Sequence, residues 1–336
     1  MNKLEVGIGP MSLEVIDAVV KYANERDREI MLIASRNQIE CAELGGGYVG
    51  NLNSRTFVDY VRARDTFHKI KICRDHCGPF LHADEKDMSH EEAMERTMQS
   101  LRTDMYNGFN LIHIDTSGSA NPYQTAEQMF STLMLCSAPL EFEFGTEENI
   151  GTAVSAEKFE MDVRFITSLY PTILKPMYVV GQTGSLVKSN IQAGKFDPEV
   201  VKKLVVIADK YGVKLKEHNA DYITRKDVQL RKDLGVGAIN VAPEFGVIQT
   251  RVIFCLAMKF GLIEELSKFK NLVISGGKWK KWEYGNFDEH HQFITAGHYH
   301  FTSHEYLHLA NKLSDHVDVQ QAIEREIFDL LDNYTL

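Results

Sequence analysis

Apolar and polar positions along this chain repeat one pattern: a short apolar run, a loop, an amphipathic helix of three or four turns, and another apolar run. Leu4 to Ile8 is the first predicted strand. Ser12 to Asn24 is the first helix, with Ser12 as N-cap and Val15, Ile16, Val19 and Val20 on one face. Glu29 to Ala34 is strand two, followed by a glycine-rich loop from Ser35 to Gly50 and a helix over Ser54 to Arg64. A loop that long is often functional. Strand three begins at Ile70 and ends in Asp75-His76-Cys77-Gly78-Pro79, where glycine and proline stop it. The next helix opens on a capping box, Ser89 with Glu92, and stops at Asn107-Gly108. The strands Leu111 to Asp115, Leu140 to Phe144, Pro176 to Val180, Lys214 to Glu217 and Ala238 to Val241 follow. Their helices are Thr125 to Ser137, Glu157 to Ser168, Pro198 to Tyr211, Thr224 to Leu234 and a long apolar one from Phe245 to Leu266.

Eight consecutive βα units predict a (β/α)8 barrel over residues 1–266; an open doubly wound sheet would more often have fewer strands or an inserted domain. Residues 267–336 read as a helical extension packed on the barrel, ending in an amphipathic helix from Val317 to Leu331. Within it lies the cluster Lys278-Trp279-Lys280-Lys281-Trp282, whose tryptophans read as packing anchors. Its histidines, His290, His291, His298, His300, His304 and His308, contain no His-Glu-x-x-His pair and read as structural or surface groups.

Composition narrows the classes. The 336 residues are 44% hydrophobic and 25% charged, enough for one large core or two ordinary domains. A formal net charge of -10 with no basic stripe excludes a general nucleic-acid or membrane-surface binder. No apolar run is long enough to span a bilayer, and Met1 to Glu5 leads into a strand without a signal-peptide pattern. The five cysteines, Cys41, Cys73, Cys77, Cys136 and Cys255, are scattered and odd in number, which predicts reduced thiols in a cytoplasm. Cys73 and Cys77 as a zinc knuckle is an alternative, but no second pair follows.

Topology brings candidate chemistry together. In a barrel the carboxyl ends of the strands meet at one mouth, so Asp75, His76, Asp115, Glu147 and His218 would converge there. Imidazoles with carboxylates suit zinc, with manganese or cobalt as alternatives, and an open coordination position would polarise a substrate oxygen. His76, His218 and Glu147 are the expected ligands, and Asp75, Asp115 and Glu147 the expected acids and bases. The bland alternative is a solvated rim whose acids cap helices. Asp75 precedes His76 in an extended strand, so it is expected on the opposite side unless the turn rotates it into the mouth. Gly181-Gln182-Thr183-Gly184-Ser185 could offer backbone donors to a phosphate, although it lacks a Gly-Lys-Ser/Thr ending and a plain turn is the alternative. The expected substrate contacts are Asn37, Gln38, Gly181, Gly184, Ser185, Asn240 and Arg251.

Several motifs are then recognisable in order: Asn37-Gln38 with Gly46-Gly47-Tyr48-Val49-Gly50, Asp75-His76-Cys77-Gly78-Pro79, Gly108-Phe109 before His113-Ile114-Asp115, Gly145-Thr146-Glu147, and Glu217-His218-Asn219-Ala220-Asp221-Tyr222. The set, continuing through Arg251 and Trp279-Lys280-Lys281, resembles the Z-subunit family of class II D-tagatose-1,6-bisphosphate aldolases, also labelled tagatose-6-phosphate kinase. The resemblance implies a TIM barrel and a class II aldolase-like metal site with His76 and His218 in it. It implies one of two roles. The chain is a metal-dependent lyase or C4 epimerase of a ketose phosphate or bisphosphate in carbohydrate metabolism, or it is a non-catalytic subunit that stabilises a separate class II aldolase chain. A homo-oligomer is left open. The chain departs from the family pattern at Arg74, where glycine is usual before Asp-His, and after Glu147, where Glu148 replaces a Pro/Gly-rich continuation. Both positions are expected to flank the pocket.

Overall fold

The eight apolar runs form eight parallel strands that close on themselves. The structure, a computed structural model, describes residues 3–135, 140–146, 150–169, 175–285 and 287–336. The strands are β1 (Glu5–Ile8), β2 (Ile30–Ser35), β3 (Ile70–Cys77), β4 (Leu111–Asp115), β5 (Glu141–Gly145), β6 (Tyr178–Val180), β7 (Lys214–Glu217) and β8 (Ala238–Val241). Each pairs in parallel with its sequence neighbour and β8 closes on β1, with Gly7 opposite Asn240, Ser35 opposite Asp75 and His113 opposite Glu143. This is the (β/α)8 barrel that the repeat predicted.

Period-two alternation divides every strand between two environments. Ile72, Ile112, Ile114, Phe142, Phe144 and Val241 face outward into one continuous core with the helices. Met31, Ile33, Cys73, Leu111, Tyr178 and Ala238 form a separate small cluster that fills the bore beneath the mouth. Cys73 and Cys77 therefore lie in different clusters, on opposite sides of the sheet, which removes the zinc-knuckle alternative. Cys41, Cys73, Cys77 and Cys255 are free thiols, and Cys136 lies outside the described residues.

The outer ring is α1 (Leu13–Glu25), α2 (Ser54–Arg62), α3 (His90–Asn107), α4 (Pro122–Leu133), α5 (Ala156–Leu169), α6 (Pro198–Lys210), α7 (Arg225–Leu234) and α8 (Pro243–Phe260). Ser12 caps α1 by accepting from the Val15 N–H, and the Ser89–Glu92 capping box opens α3 as expected. The long helix expected from Phe245 to Leu266 is two helices. Gly261, at φ +73°, takes the left-handed C-cap position and its N–H bonds the carbonyls of Ala257 and Met258, so α8 stops and α9 (Ile263–Gly276) starts in a new direction. The extension continues with α10 (Glu289–Ala296), α11 (His304–Ser314) and α12 (Val319–Tyr334). α12 returns to pack on α1 and α8, with Tyr22 donating to Asp332 at 2.7 Å. Among the described residues no helix is long and apolar enough to cross a membrane.

One element has no counterpart in the strand-helix reading. The loop after β6 carries a short antiparallel hairpin, Val187–Lys188 against Ile191–Gln192, which reaches across the carboxyl edge of the barrel.

Candidate metal centre at the barrel mouth

Strand alternation alone aims Asp75, His113, Asp115, Glu143, Lys216 and Asn240 into the upper bore, each two residues above or below another inward position. The backbone at the end of β3 then adds a second group. His76 sits at φ +48° beside a register shift between Arg74 and Cys77, so the extra residue turns its ring into the mouth instead of outward. Gly78 makes that close turn possible: a Cβ there would come within 1.7 Å of the Asp115 carbonyl oxygen. The expectation for this pair is thus reversed, since Asp75 faces inward by alternation and His76 is the residue the turn rotates.

Three imidazoles surround the Asp75 carboxylate. His76 Nε2 lies 3.5 Å from Oδ2, while His113 Nδ1 and His218 Nε2 lie 3.5 and 3.9 Å from Oδ1. The ring centroids are 5.0 to 5.3 Å apart. Asp75, His76, His113 and His218 each offer one donor atom within 4.8 Å of the others. At 3.5 to 3.9 Å these contacts lie at or beyond the limit of a hydrogen bond, which leaves room for a cation at the common focus. Nitrogen-rich donors with one carboxylate fit zinc and its neighbours better than the oxygen cages of calcium or magnesium. Asn240 reaches the focus with Nδ2, 3.5 Å from Asp75 Oδ1 and 3.1 Å from His218 Nε2, while its Oδ1, beside Gly7, has no hydrogen-bond partner.

Outer carboxylates hold the rings. His76 Nδ1 lies 2.6 Å from Asp115 Oδ2, and Asp115 Oδ1 accepts the Ser117 N–H at 2.9 Å. His218 Nε2 is 3.2 Å from Glu143 Oε1, and Glu143 Oε2 pairs with the buried Lys216 ammonium. The His76 contact is made through the nitrogen that faces away from Asp75, the arrangement that orients a metal-binding ring, whereas Glu143 meets His218 on the same nitrogen that faces Asp75.

Neighbouring charges set the ionisation of each group. Burial pushes the Asp75 carboxyl up, but His76, His218 and His113 outweigh it and hold the group well below the usual carboxylate range. Burial likewise opposes ionisation of Glu143, yet Lys216 and the two neighbouring histidines bring it down to about 2. Burial disfavours a charged His76, but Asp75 and Asp115 raise it to about 9; burial keeps His218 below its ordinary value. His76 is also the accessible ring, 44% exposed against 2% for His113 and 7% for His218.

The other expected contacts are distributed unevenly. Gln38 and Asn240 line the mouth cavity of about 200 Å³. Asn37 instead clamps the loop after β3, donating to the Leu81 carbonyl and accepting the Ala83 N–H. Gly181 packs against Leu215 and Phe159 in the helix layer, and Ser185 bonds Glu217 beside Arg231, so neither lines that cavity. Gly184, at φ +92°, is pressed against the Lys195 carbonyl, and Arg251 is exposed on α8. Glu147, expected as ligand and acid, lies outside the described residues, as does Glu148. Arg74 faces away from the bore, buried against Asp104 at 2.6 and 2.9 Å and the carbonyls of Ala34 and Ile39, so it does not flank the pocket.

Residues not singled out from the sequence as site residues complete the mouth. His113, Glu143 and Lys216 carry the same strand-alternation signal as Asp115 and His218 and were legible there. Lys281, Trp282, His298 and Tyr299 reach the cavity from the extension, which no local pattern announces.

Residues 9–133 match the family described as D-tagatose-1,6-bisphosphate aldolase subunit GatZ/KbaZ-like. No curated protein matches the chain by sequence. Among solved structures, a probable tagatose 6 phosphate kinase from Sinorhizobium meliloti 1021 superposes with a TM-score of 0.83 at 17% identity, covering 99% of both chains. Fructuronate-tagaturonate epimerase UxaE from Cohnella laeviribosi gives 0.68 at 11% identity over 99% of this chain and 81% of its own. The YdjI aldolase from Escherichia coli K12 gives 0.57 at 11% over 98% and 90%. At these identities the structural likeness shows the fold. Over residues 9–133, the part that carries Asp75, His76 and His113, the chain is matched to the GatZ/KbaZ-like aldolase-subunit family, as its ordered motifs indicated.

Proposed function

We propose that this chain is a divalent-metal-dependent aldol-type enzyme, a C4 epimerase or aldolase, acting on a ketose phosphate or bisphosphate in a reducing, cytoplasmic compartment. The observation that carries this reading is one carboxylate, Asp75, faced by three imidazole nitrogens at 3.5 to 3.9 Å at the mouth of a barrel. His76, His113 and His218 would hold the ion, in which His113 takes the place expected for Glu147; zinc suits the donors best, with manganese or cobalt as alternatives. A divalent ion there supplies electrophilic stabilisation for charge building on a ketose carbonyl oxygen.

The chain's own residues do the rest. Asp75 lines the cavity as a carboxylate and takes the proton from the C4 hydroxyl as the C3–C4 bond breaks. The hydroxyl oxygen becomes the carbonyl of the departing fragment, and the C3–C4 electron pair passes towards the C2 carbonyl. Return of that proton to the oxygen after the bond reforms on the other face of the aldehyde gives the C4 epimer; its delivery to C3 of the enediolate, followed by release of both fragments, gives lysis. Asp115 acts through His76 by fixing its ring, and Asn240 and Gln38 are placed to orient substrate hydroxyls. Trp282 and Tyr299 supply aromatic lining to the cavity.

Turnover of ketose phosphates by reconstituted protein tests this. Asp75→Asn should keep its metal and lose about 100- to 10,000-fold in rate, the usual cost of a missing general base. An unchanged rate sinks the role of Asp75. The matched family is described as an aldolase subunit, which favours a second reading: a non-catalytic partner of a separate class II aldolase chain. An inactive parent that raises the activity or stability of such a chain on mixing would establish that reading.

A further inference from the structure

The wall of the mouth opposite the imidazoles comes from the extension, and its chemistry differs from theirs. Among the described residues that line the cavity, Lys281 is the one Lys or Arg, in a mouth that also holds Asp75 and Asp221. No described carboxylate pairs with its ammonium, which rests 4.6 Å from the Trp282 ring and 5.2 Å from that of Tyr299. Aromatic faces hold a cation in place without neutralising it. Beside it, His298 is 1% exposed and lines the same cavity, yet neither ring nitrogen has a hydrogen-bond partner. Burial, with Lys281 nearby, keeps that ring neutral, so one nitrogen carries a proton to donate. A buried imidazole with both nitrogens unsatisfied is costly unless a ligand completes it.

The wall is held in place rather than loosely draped. Lys188 Nζ donates to the Lys281 carbonyl at 2.6 Å and the Ser189 N–H to the Trp282 carbonyl at 2.7 Å, so the hairpin after β6 clasps the Lys278–Trp282 turn. The same hairpin reaches the loop after His218, where Gln192 Nε2 donates to the carbonyls of Asn219 and Asp221 at 2.8 and 3.1 Å. The segment following Gly181–Ser185, expected to cradle a phosphate, is therefore a clasp joining the extension to the rim.

We propose that Lys281 and His298 read the anionic end of the substrate, so that the extension selects a single ketose unit bearing a terminal phosphate or carboxylate. The cavity of about 200 Å³, smaller than the roughly 300 to 1,000 Å³ of drug-sized sites, has room for one such unit. This rests on the reading that a ketose occupies the mouth, and it assigns the charge selection to two residues remote from the metal-binding rings in sequence.

Calorimetric titration tests it without turnover, using D-tagatose 6-phosphate, D-tagaturonate and D-tagatose as a matched series. The parent should bind at least one charged ligand about 10-fold or more tighter than D-tagatose. Lys281→Met should remove that advantage and leave D-tagatose binding unchanged, and the charged ligand that loses more identifies the terminal group. His298→Phe, which keeps the ring shape, should cost the same ligand about 3- to 10-fold. Equal loss for all three ligands, no loss in Lys281→Met, or no charge preference in the parent overturns the proposal. If the charge preference persists in a His76→Ala, His218→Ala variant whose parent form shows no turnover, the anion reader stands and the aldol reading falls.

Discussion

His76 Nδ1 and Asp115 Oδ2 stand 2.6 Å apart, and this contact decides which nitrogen of the accessible imidazole is free. With Nδ1 engaged by the carboxylate, Nε2 is left facing Asp75 and the focus of the site. Asp115 is itself fixed by the Ser117 N–H, so the orientation passes from the β4 loop to the ring. Asp115→Asn should therefore weaken divalent-metal affinity by about 10- to 100-fold while the protein stays folded. Metal titration with a competing chelator measures this, and an unchanged affinity would reduce the contact to a helix-side cap.

The same contact sets a pH dependence. In the metal-free protein His76 is raised to about 9, against an ordinary value of 6.5. A raised imidazole contributes stability that is fully present below the unfolded value and is lost as pH climbs through the folded one. The stability advantage of the chelator-treated parent over His76→Ala should then shrink between pH 6.5 and 9. Metal must displace that proton, so metal affinity should rise over the same interval. Thermal unfolding and chelator competition across this range give the answer; profiles flat with pH would contradict it.

Beneath the rings, Lys216 and Glu143 form a pair that is almost wholly buried. Lys216→Met takes from the buried Glu143 carboxylate its one ammonium, leaving it the imidazole contacts alone, and should destabilise the fold by about 3–5 kcal/mol. Lys216→Met with Glu143→Gln removes the stranded charge and should recover most of that loss, as denaturant titration would show. If the double variant is no more stable than the single one, the pair's contribution lies elsewhere than in charge compensation.

Arg74 makes a parallel case outside the bore. Its guanidinium meets Asp104 in a two-point contact and donates to the Ala34 carbonyl in β2 and the Ile39 carbonyl in the loop beyond it, all fully buried. Arg74→Met should cost about 3–5 kcal/mol in stability by stranding Asp104. Because Arg74 does not face the cavity, substrate preference among folded molecules should not move, and a changed preference in steady-state assays would refute the structural assignment.

What could be read from the sequence follows from how local each signal is. The repeat of strands and helices, the Ser12 and Ser89 caps and the stops at glycine depend on neighbours in the chain, and the barrel follows from their number. Inward placement of Asp115 is equally local, and the same period-two rule covers His113, two residues before it in the strand. His76 reaches the mouth by a turn the sequence does not show, because a left-handed residue beside a bulge leaves no signal that distinguishes it from an ordinary strand end. Arg74 read as a pocket residue because sequence adjacency to Asp75 hides the fact that neighbours in a strand face opposite sides. The contribution of Lys281 and His298 was illegible, since more than 200 residues separate them from His76 and only the hairpin clasp brings their segment over the rim.

Whether three imidazoles form one metal site is tested most directly by elemental analysis of protein stripped with chelator and reconstituted with zinc. About one bound ion per chain is expected in the parent, as one donor set requires, and none retained by a His76→Ala, His113→Ala, His218→Ala variant. An undiminished metal content in that variant, or a parent that binds no divalent ion, would contradict such a site.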